Sequence, residues 1–192
     1  ISAGIGPPIP SIGTASVSGP GISASASYTE TSSNSTSYTN SHLNASNITI
    51  NSDEDTTVKG GVVTAENDLT LDVGGNLIVK SLQDKSKNHS NTVGISGGSS
   101  GGGANFSTSD GNKKWVTEQT ALTGGVVNID VEGKTTLKGA LIASTTDDLT
   151  LTTGSLDYSD IKDKDRSTNF GMGINAGKDS KSVRYLTASY LN

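Results

Sequence analysis

The chain has 192 residues, a net charge of −5, 24 glycines and no cysteine, and 31% of it is hydrophobic. The missing cysteines exclude disulfides and thiolate metal sites. Cations scattered along the sequence and a 4% aromatic content argue against a nucleic-acid partner, which needs a clustered basic footprint or a stacking platform.

Ser, Thr, Asn and Gly dominate the remainder, a mixture that favours strands and turns and disfavours helices. No stretch approaches the ~18 apolar residues of a membrane span, and the first residues lack the basic-then-apolar pattern of a secretory leader, so any export signal is expected outside this chain. In chain order, Gly21-Ile22-Ser23-Ala24 opens an alternating run that reaches Tyr28. A first apolar block, Ile48 to Leu82, consists of short triplets: Ile48-Thr49-Ile50, Thr57-Val58, Val62-Val63, Leu69-Thr70-Leu71 and Leu77-Ile78-Val79. Period-two alternation of β-branched residues between Gly, Asp and Asn predicts short strands. Lys87 to Lys114 is polar and holds the run Gly97-Gly98-Ser99-Ser100-Gly101-Gly102-Gly103. It is expected to be a flexible excursion, with a pair of long strands as the alternative. A second apolar block, Val126 to Ile161, repeats the character of the first.

Two nested repeats organise these elements. The shorter is about 21 residues: Asn47-Ile48-Thr49-Ile50 recurs as Asp68-Leu69-Thr70-Leu71, and Asn128-Ile129-Asp130-Val131 as Asp148-Leu149-Thr150-Leu151. The longer is about 80 residues: Thr56-Thr57-Val58-Lys59-Gly60 matches Thr135-Thr136-Leu137-Lys138-Gly139. Each long copy ends in a Gly-rich tail, Thr92 to Gly97 and Gly171 to Ala176. A coil of about 21 residues has room for three short strands and three turns, so the chain is expected to be all-β, a parallel β-helix (β-solenoid) of ~21-residue coils with Gly/Ser-rich excursions. The expected boundaries are 1–45 for the end of a preceding repeat, 46–120 for a repeat with coils at 46–87 and an excursion at 88–114, and 121–192 for a following, truncated repeat. The pattern begins and stops mid-unit, as a piece of an array would.

Four constellations could carry chemistry. Gly94-Ile95-Ser96-Gly97-Gly98 spells a nucleophile elbow, but a Gly/Ser tract follows it and both histidines, His42 and His89, precede Ser96. Asp157, Asp160, Asp163 and Asp165, like Asp53, Glu54 and Asp55, are close enough in sequence for acid/base work on a polysaccharide. Interleaved Lys162, Lys164 and Arg166 instead favour a solvated, charge-balanced turn. The run from Asp160 to Asp165 lacks the Gly and terminal Glu of an EF-hand loop. Asn44, Asn47 and Asn105 lie in glycosylation sequons that composition alone would produce, and Trp115 is expected to cover the point where the excursion rejoins the coils. No catalytic, cofactor-binding or metal residue is therefore assigned; no cofactor is expected and the chain is read as non-enzymatic.

Asp148-Leu149-Thr150-Leu151 with Gly154, the run Leu156 to Ile161, and Trp115-Val116-Thr117-Glu118-Gln119-Thr120 with Gly124-Gly125 resemble the haemagglutinin repeats of filamentous haemagglutinins and contact-dependent growth inhibition exoproteins. The resemblance extends over about residues 20–180. It implies a right-handed β-helix and a structural stalk segment of a large secreted protein on the surface of a Gram-negative bacterium. It further implies an outer-membrane secretion partner (two-partner secretion), a target-cell surface and neighbouring repeats of the same chain as contacts. A direct adhesin and a polysaccharide-active β-helix enzyme are the alternatives.

Overall fold

A triplet such as Leu69-Thr70-Leu71 can hide its two leucines only if other strands cover them on both sides. The computed structural model supplies those strands. It describes residues 2–6, 11–12, 23–177 and 180–191, with side chains for 23–177, and among these it contains strand, turn and bend but no helix. The strands are β1 (Ser2–Gly6), β2 (Ser11–Ile12), β3 (Ser23–Ser37), β4 (Ser41–Ala45), β5 (Ile48–Ser52), β6 (Thr56–Lys59), β7 (Gly61–Ala65) and β8 (Asp68–Val73). They continue with β9 (Leu77–Lys80), β10 (Asp84–Gly98), β11 (Gly101–Trp115), β12 (Ala121–Lys138), β13 (Leu141–Ser159), β14 (Lys164–Gly177) and β15 (Ser180–Leu191). They fall into two compact units, one of residues 37–84 and 115–163, the other of the described residues in 2–36, 85–114 and 164–192.

In the first unit every pairing is parallel. β4, β7 and the starts of β12 and β13 form one ladder; β5, β8 and the middles of β12 and β13 form a second; β6, β9 and the ends of β12 and β13 form a third. Irregularities at Gly124/Val126 and Val131/Lys134 divide the long strands β12 and β13 into these three portions. The registers align the short repeat with itself, Ile48 on Leu69, Leu69 on Val127 and Val127 on Leu149, and beside them Ile50, Leu71, Ile129 and Leu151. Four layers of chain thus stack at the ~4.8 Å strand spacing, and their inward residues form continuous apolar columns. Burial follows position in the stack. Leu69 and Val127, in the middle layers, have no exposed surface, whereas Leu149, in the same column at the end, is 42% exposed.

The longer repeat marks a bend. Gly60 and Gly139 occupy equivalent places and both adopt left-handed backbone, φ 62° and 55°. A Cβ on Gly60 would come within 2.6 Å of Leu82 Cδ1, and one on Gly139 within 2.8 Å of Ile161 Cγ1. Only glycine meets both demands, which explains why Lys-Gly closes each matched segment.

The second unit corrects the expectation for the Gly/Ser-rich stretch. Residues 88–114 are not a flexible excursion: β10 and β11 are neighbouring 15-residue strands joined through the turn at Ser99 and Ser100. Nor is the fold parallel throughout, because β10 pairs antiparallel with β3, β11 with β14, and β14 with β15, in a seven-stranded sheet ordered β1-β3-β10-β11-β14-β15 with β2 beside β3. Glycine signals flexibility only where nothing lies opposite it. Here Gly94 lies against the Asn105 side chain and Gly111 against Asn88, so missing side chains on one strand make room for amides from the next. Thr29–Thr92 and Ser109–Asn169 hydrogen bonds, 3.1 and 2.6 Å, link further strands on this polar face. The opposite face carries a cross-strand apolar row that includes Tyr28, Val93, Phe106 and Met172.

Each long repeat therefore contributes two layers to the parallel stack and one hairpin, again two strands, to the antiparallel sheet. Circular dichroism should show β-structure with helix far below the roughly one-third of an average globular protein. Leu69→Ala should cost about 2–5 kcal/mol in denaturant titrations, as for a fully buried leucine, and Leu149→Ala clearly less. Equal costs would show that the column does not stack as described.

Candidate functional site

Where the ladders of the first unit end, backbone polar groups still need partners. The first unit meets this need with buried polar side chains. Asp84, 4% exposed, accepts a hydrogen bond from the Tyr38 backbone N–H through Oδ1 at 2.7 Å and one from the Thr117 hydroxyl through Oδ2. Trp115 Nε1 donates to the Thr117 hydroxyl oxygen at 2.9 Å, so the tryptophan stands where β11 gives way to the next coil layer. Alongside, the Thr120 N–H donates to Ser81 Oγ at 2.8 Å, the Ser81 hydroxyl to the Gly139 carbonyl, and the Thr120 hydroxyl to the Lys80 carbonyl at 2.9 Å. Ser81 and Thr120 are 1% and 0% exposed.

This junction escaped the sequence analysis, although a signal for it exists. Asp84 and Asp163 hold equivalent places in the long repeat, and Asp163 Oδ1 likewise accepts a backbone N–H from a returning segment, Val116 at 3.1 Å. An aspartate that recurs at the repeat period, just before a hairpin, was available as a clue. In sequence, Asp163 reads as one more member of the charged run around it.

The residues singled out by sequence are not brought together. Ser96 lies in β10 opposite Ser25 of β3. His89 contacts Asp110 at 2.6 Å, and His42 contacts Glu118 at 3.3 Å. Asp157 pairs with Lys134 at 2.9 Å, and Asp165, in the other unit, pairs with Lys113 at 2.8 Å. Asp160 and Asp163 border one shallow depression of about 560 Å³ together with Gln119 and Thr117. Asp55 accepts from both the N–H and the side-chain amide of Asn76, at 2.7 and 3.0 Å, and Asn76 Oδ1 in turn accepts from the Lys134 N–H at 2.9 Å. These side chains bind successive turns to one another. Asn47 does the same, its Oδ1 accepting the Asp68 N–H at 3.3 Å, while Asn44 is exposed on β4 and Asn105 lies over Gly94. No group of three or more potential metal ligands occurs among the described residues.

Layered parallel strands, repeating turn contacts and recurrent polar junctions define a repeat-built β protein. A family model described as "Hemagglutinin repeat" matches residues 10–95. "Toxin CdiA" of Escherichia coli is 36% identical over 161 residues, covering 75% of this chain and 5% of that protein. "Deoxyribonuclease CdiA" of Yersinia pseudotuberculosis serotype O:3 (strain YPIII) is 37% identical over 131 residues, covering 61% of this chain and 12% of that protein. "tRNA nuclease CdiA" of Escherichia coli (strain NC101) is 34% identical over 146 residues, 68% of this chain and 4% of that one. The chain belongs to the haemagglutinin-repeat family of filamentous haemagglutinin and contact-dependent growth inhibition exoproteins, which are secreted surface proteins of Gram-negative bacteria. It spans a small fraction of the length of these relatives. No solved structure matches it.

Asp84→Ala should lower stability by about 1–3 kcal/mol, because a partly buried backbone N–H and a hydroxyl lose their acceptor. Asp163→Asn, at an exposed site and with an acceptor oxygen retained, should stay within about 0.5 kcal/mol of the parent. Thermal melts of the two variants measure the difference.

Proposed function

We propose that the chain is a length of non-enzymatic stalk within a large secreted exoprotein, spacing an adhesive or toxic module from the cell that displays it. On this reading its four layers are coils of a right-handed parallel β-helix, with a hairpin added after every second coil. The observation that carries the proposal is the continuity of the inward columns. From Ile48 through Leu69 and Val127 to Leu149 the same interaction recurs in each coil, and stability arises between neighbours.

Leu43 at one end of the stack and Leu149, Leu156 and Tyr158 at the other are exposed by 42% or more. Further coils of the same array are the natural cover for them. The secretion partner in the outer membrane and the surface of a target cell are the other contacts that membership of the family suggests. Against an enzymatic role, the Asp157 and Asp165 carboxylates are each taken up in an ion pair with a lysine.

A stalk should tolerate changes of length in whole repeats. Deleting residues 85–163 from the parent exoprotein joins Asp84 to Lys164 and reproduces the native Asp163–Lys164 junction, so surface display should persist. Deleting 85–152 ends inside a coil and should abolish display. Immunolabelling of intact cells measures both, and loss of display on whole-repeat deletion would count against the stalk. The double change Asp157→Ala and Asp160→Ala should leave display unaltered, and the unaltered chain should release no reducing ends from polysaccharides. Release that the double change abolished would favour the enzyme.

A further inference from the structure

Within the parallel unit, one ladder carries charge of one sign and the next carries the other. In the third ladder, Lys59 stands in register beside Lys80, and Lys80 beside Lys138. Leu77 and Val79 of β9 are buried, so alternation turns Ile78 and Lys80 outward. Three like charges therefore follow one another at the ~4.8 Å strand spacing, an arrangement that opposes the stack it sits on. Among the described residues no ion pair engages any of the three. The one acid of this ladder, Asp157, is taken by Lys134.

The second ladder is the reverse. Leu69, Leu71 and Val73 of β8 and Val127, Ile129 and Val131 of β12 point inward, which puts Asp72 and Asp130 outward and in register with each other. Neither has an ion-pair partner among the described residues. With the turns that border it (residues 44–55, 65–75, 125–133 and 144–154), this ladder carries ten carboxylates, all exposed, and no lysine or arginine.

The same coils thus bear two charged columns that are opposite in sign and equal in pitch. A lone ion can neutralise one member of a column, but only a partner that repeats at the strand spacing meets every member. Each column finds that partner on another copy of the chain.

We propose that the acidic second ladder of one copy docks on the lysine column of another copy's third ladder, so that copies associate side by side. The contact is heterologous: a docked pair leaves one acidic and one basic ladder open, and the association propagates. Exposed ion pairs are individually weak, but their number grows with every repeat of an array, so the contact strengthens with the length engaged. This goes beyond the stalk, since a spacer requires no neighbour.

Sedimentation velocity of the whole chain over a range of concentrations tests the proposal, because the sign of the salt effect is diagnostic. Copies of net charge −5 repel one another, so association by any uncharged surface, such as the ends at Leu43 and Leu149, would rise as salt screens that repulsion. Docked columns should do the opposite, associating at ~0.01 M salt, where the screening length is ~30 Å, and separating at ~1 M, where it is ~3 Å. EDTA should have no effect. Lys59→Gln with Lys80→Gln and Lys138→Gln should weaken association about tenfold or more, as should Asp72→Asn with Asp130→Asn. An equimolar mixture of these two variants retains one intact lysine column and one intact acidic ladder, and should form one-to-one pairs that grow no further. Lys113→Gln, in the other unit, should behave as the parent. Absence of association at low salt, association that rises with salt or needs a divalent cation, indifference to either set of changes, or failure of the mixture to pair would each overturn the proposal.

Discussion

Register between stacked, similar strands is the constraint on which the parallel unit depends. A one-residue slip of any layer would turn Leu69 and Leu71 outward and bring Thr70 into the column. Layers of about 21 residues prevent the slip because each presents its apolar pair at the same point of the circuit. The middle layers, covered on both sides, reach full burial, and the outer ones do not. Apolar content well below that of a globular domain is sufficient, since no residue needs to reach across a thick core.

The two units answer the same economy differently. In the parallel stack, apolar side chains point inward and the turns are bound by polar side chains such as Asn47, Asp55 and Asn76. In the antiparallel sheet, one face is almost wholly Ser, Thr, Gly and Asn, with amides seated over glycines, and the other changes from an apolar row at Val93 and Phe106 to a cationic one at Lys85 and Lys114.

What was legible in the sequence was whatever repeats with an apolar marker. The triplets at Ile48, Leu69, Ile129 and Leu149 gave the strands, their spacing gave the layers, and the match of Lys59-Gly60 with Lys138-Gly139 gave the longer unit. The hairpins were not legible in the same way, because their partners come from three separate stretches and carry little apolar patterning; Gly97 to Gly103 resembles a linker until Ser23–Ser37 and Lys164–Gly177 are laid beside it. Asp84 was missed because its value lies in burial, which a charged residue in a polar run does not announce. The cations were judged scattered for a related reason, since only cross-strand register brings Lys85, Lys114 and Lys164 into one row.

Strand pairing also bears on survival outside a cell. Proteases of the trypsin type cut after lysine or arginine and must draw the chain into an extended, unpaired conformation to do so. Among the described residues every lysine and arginine lies within a strand except Lys162. Even there the carbonyl that would be attacked accepts a hydrogen bond from Gln83 Nε2 at 2.9 Å. Among the described residues, digestion of the folded molecule thus has a single guarded starting place, and a surface filament built of such repeats would owe its durability to where its basic residues sit.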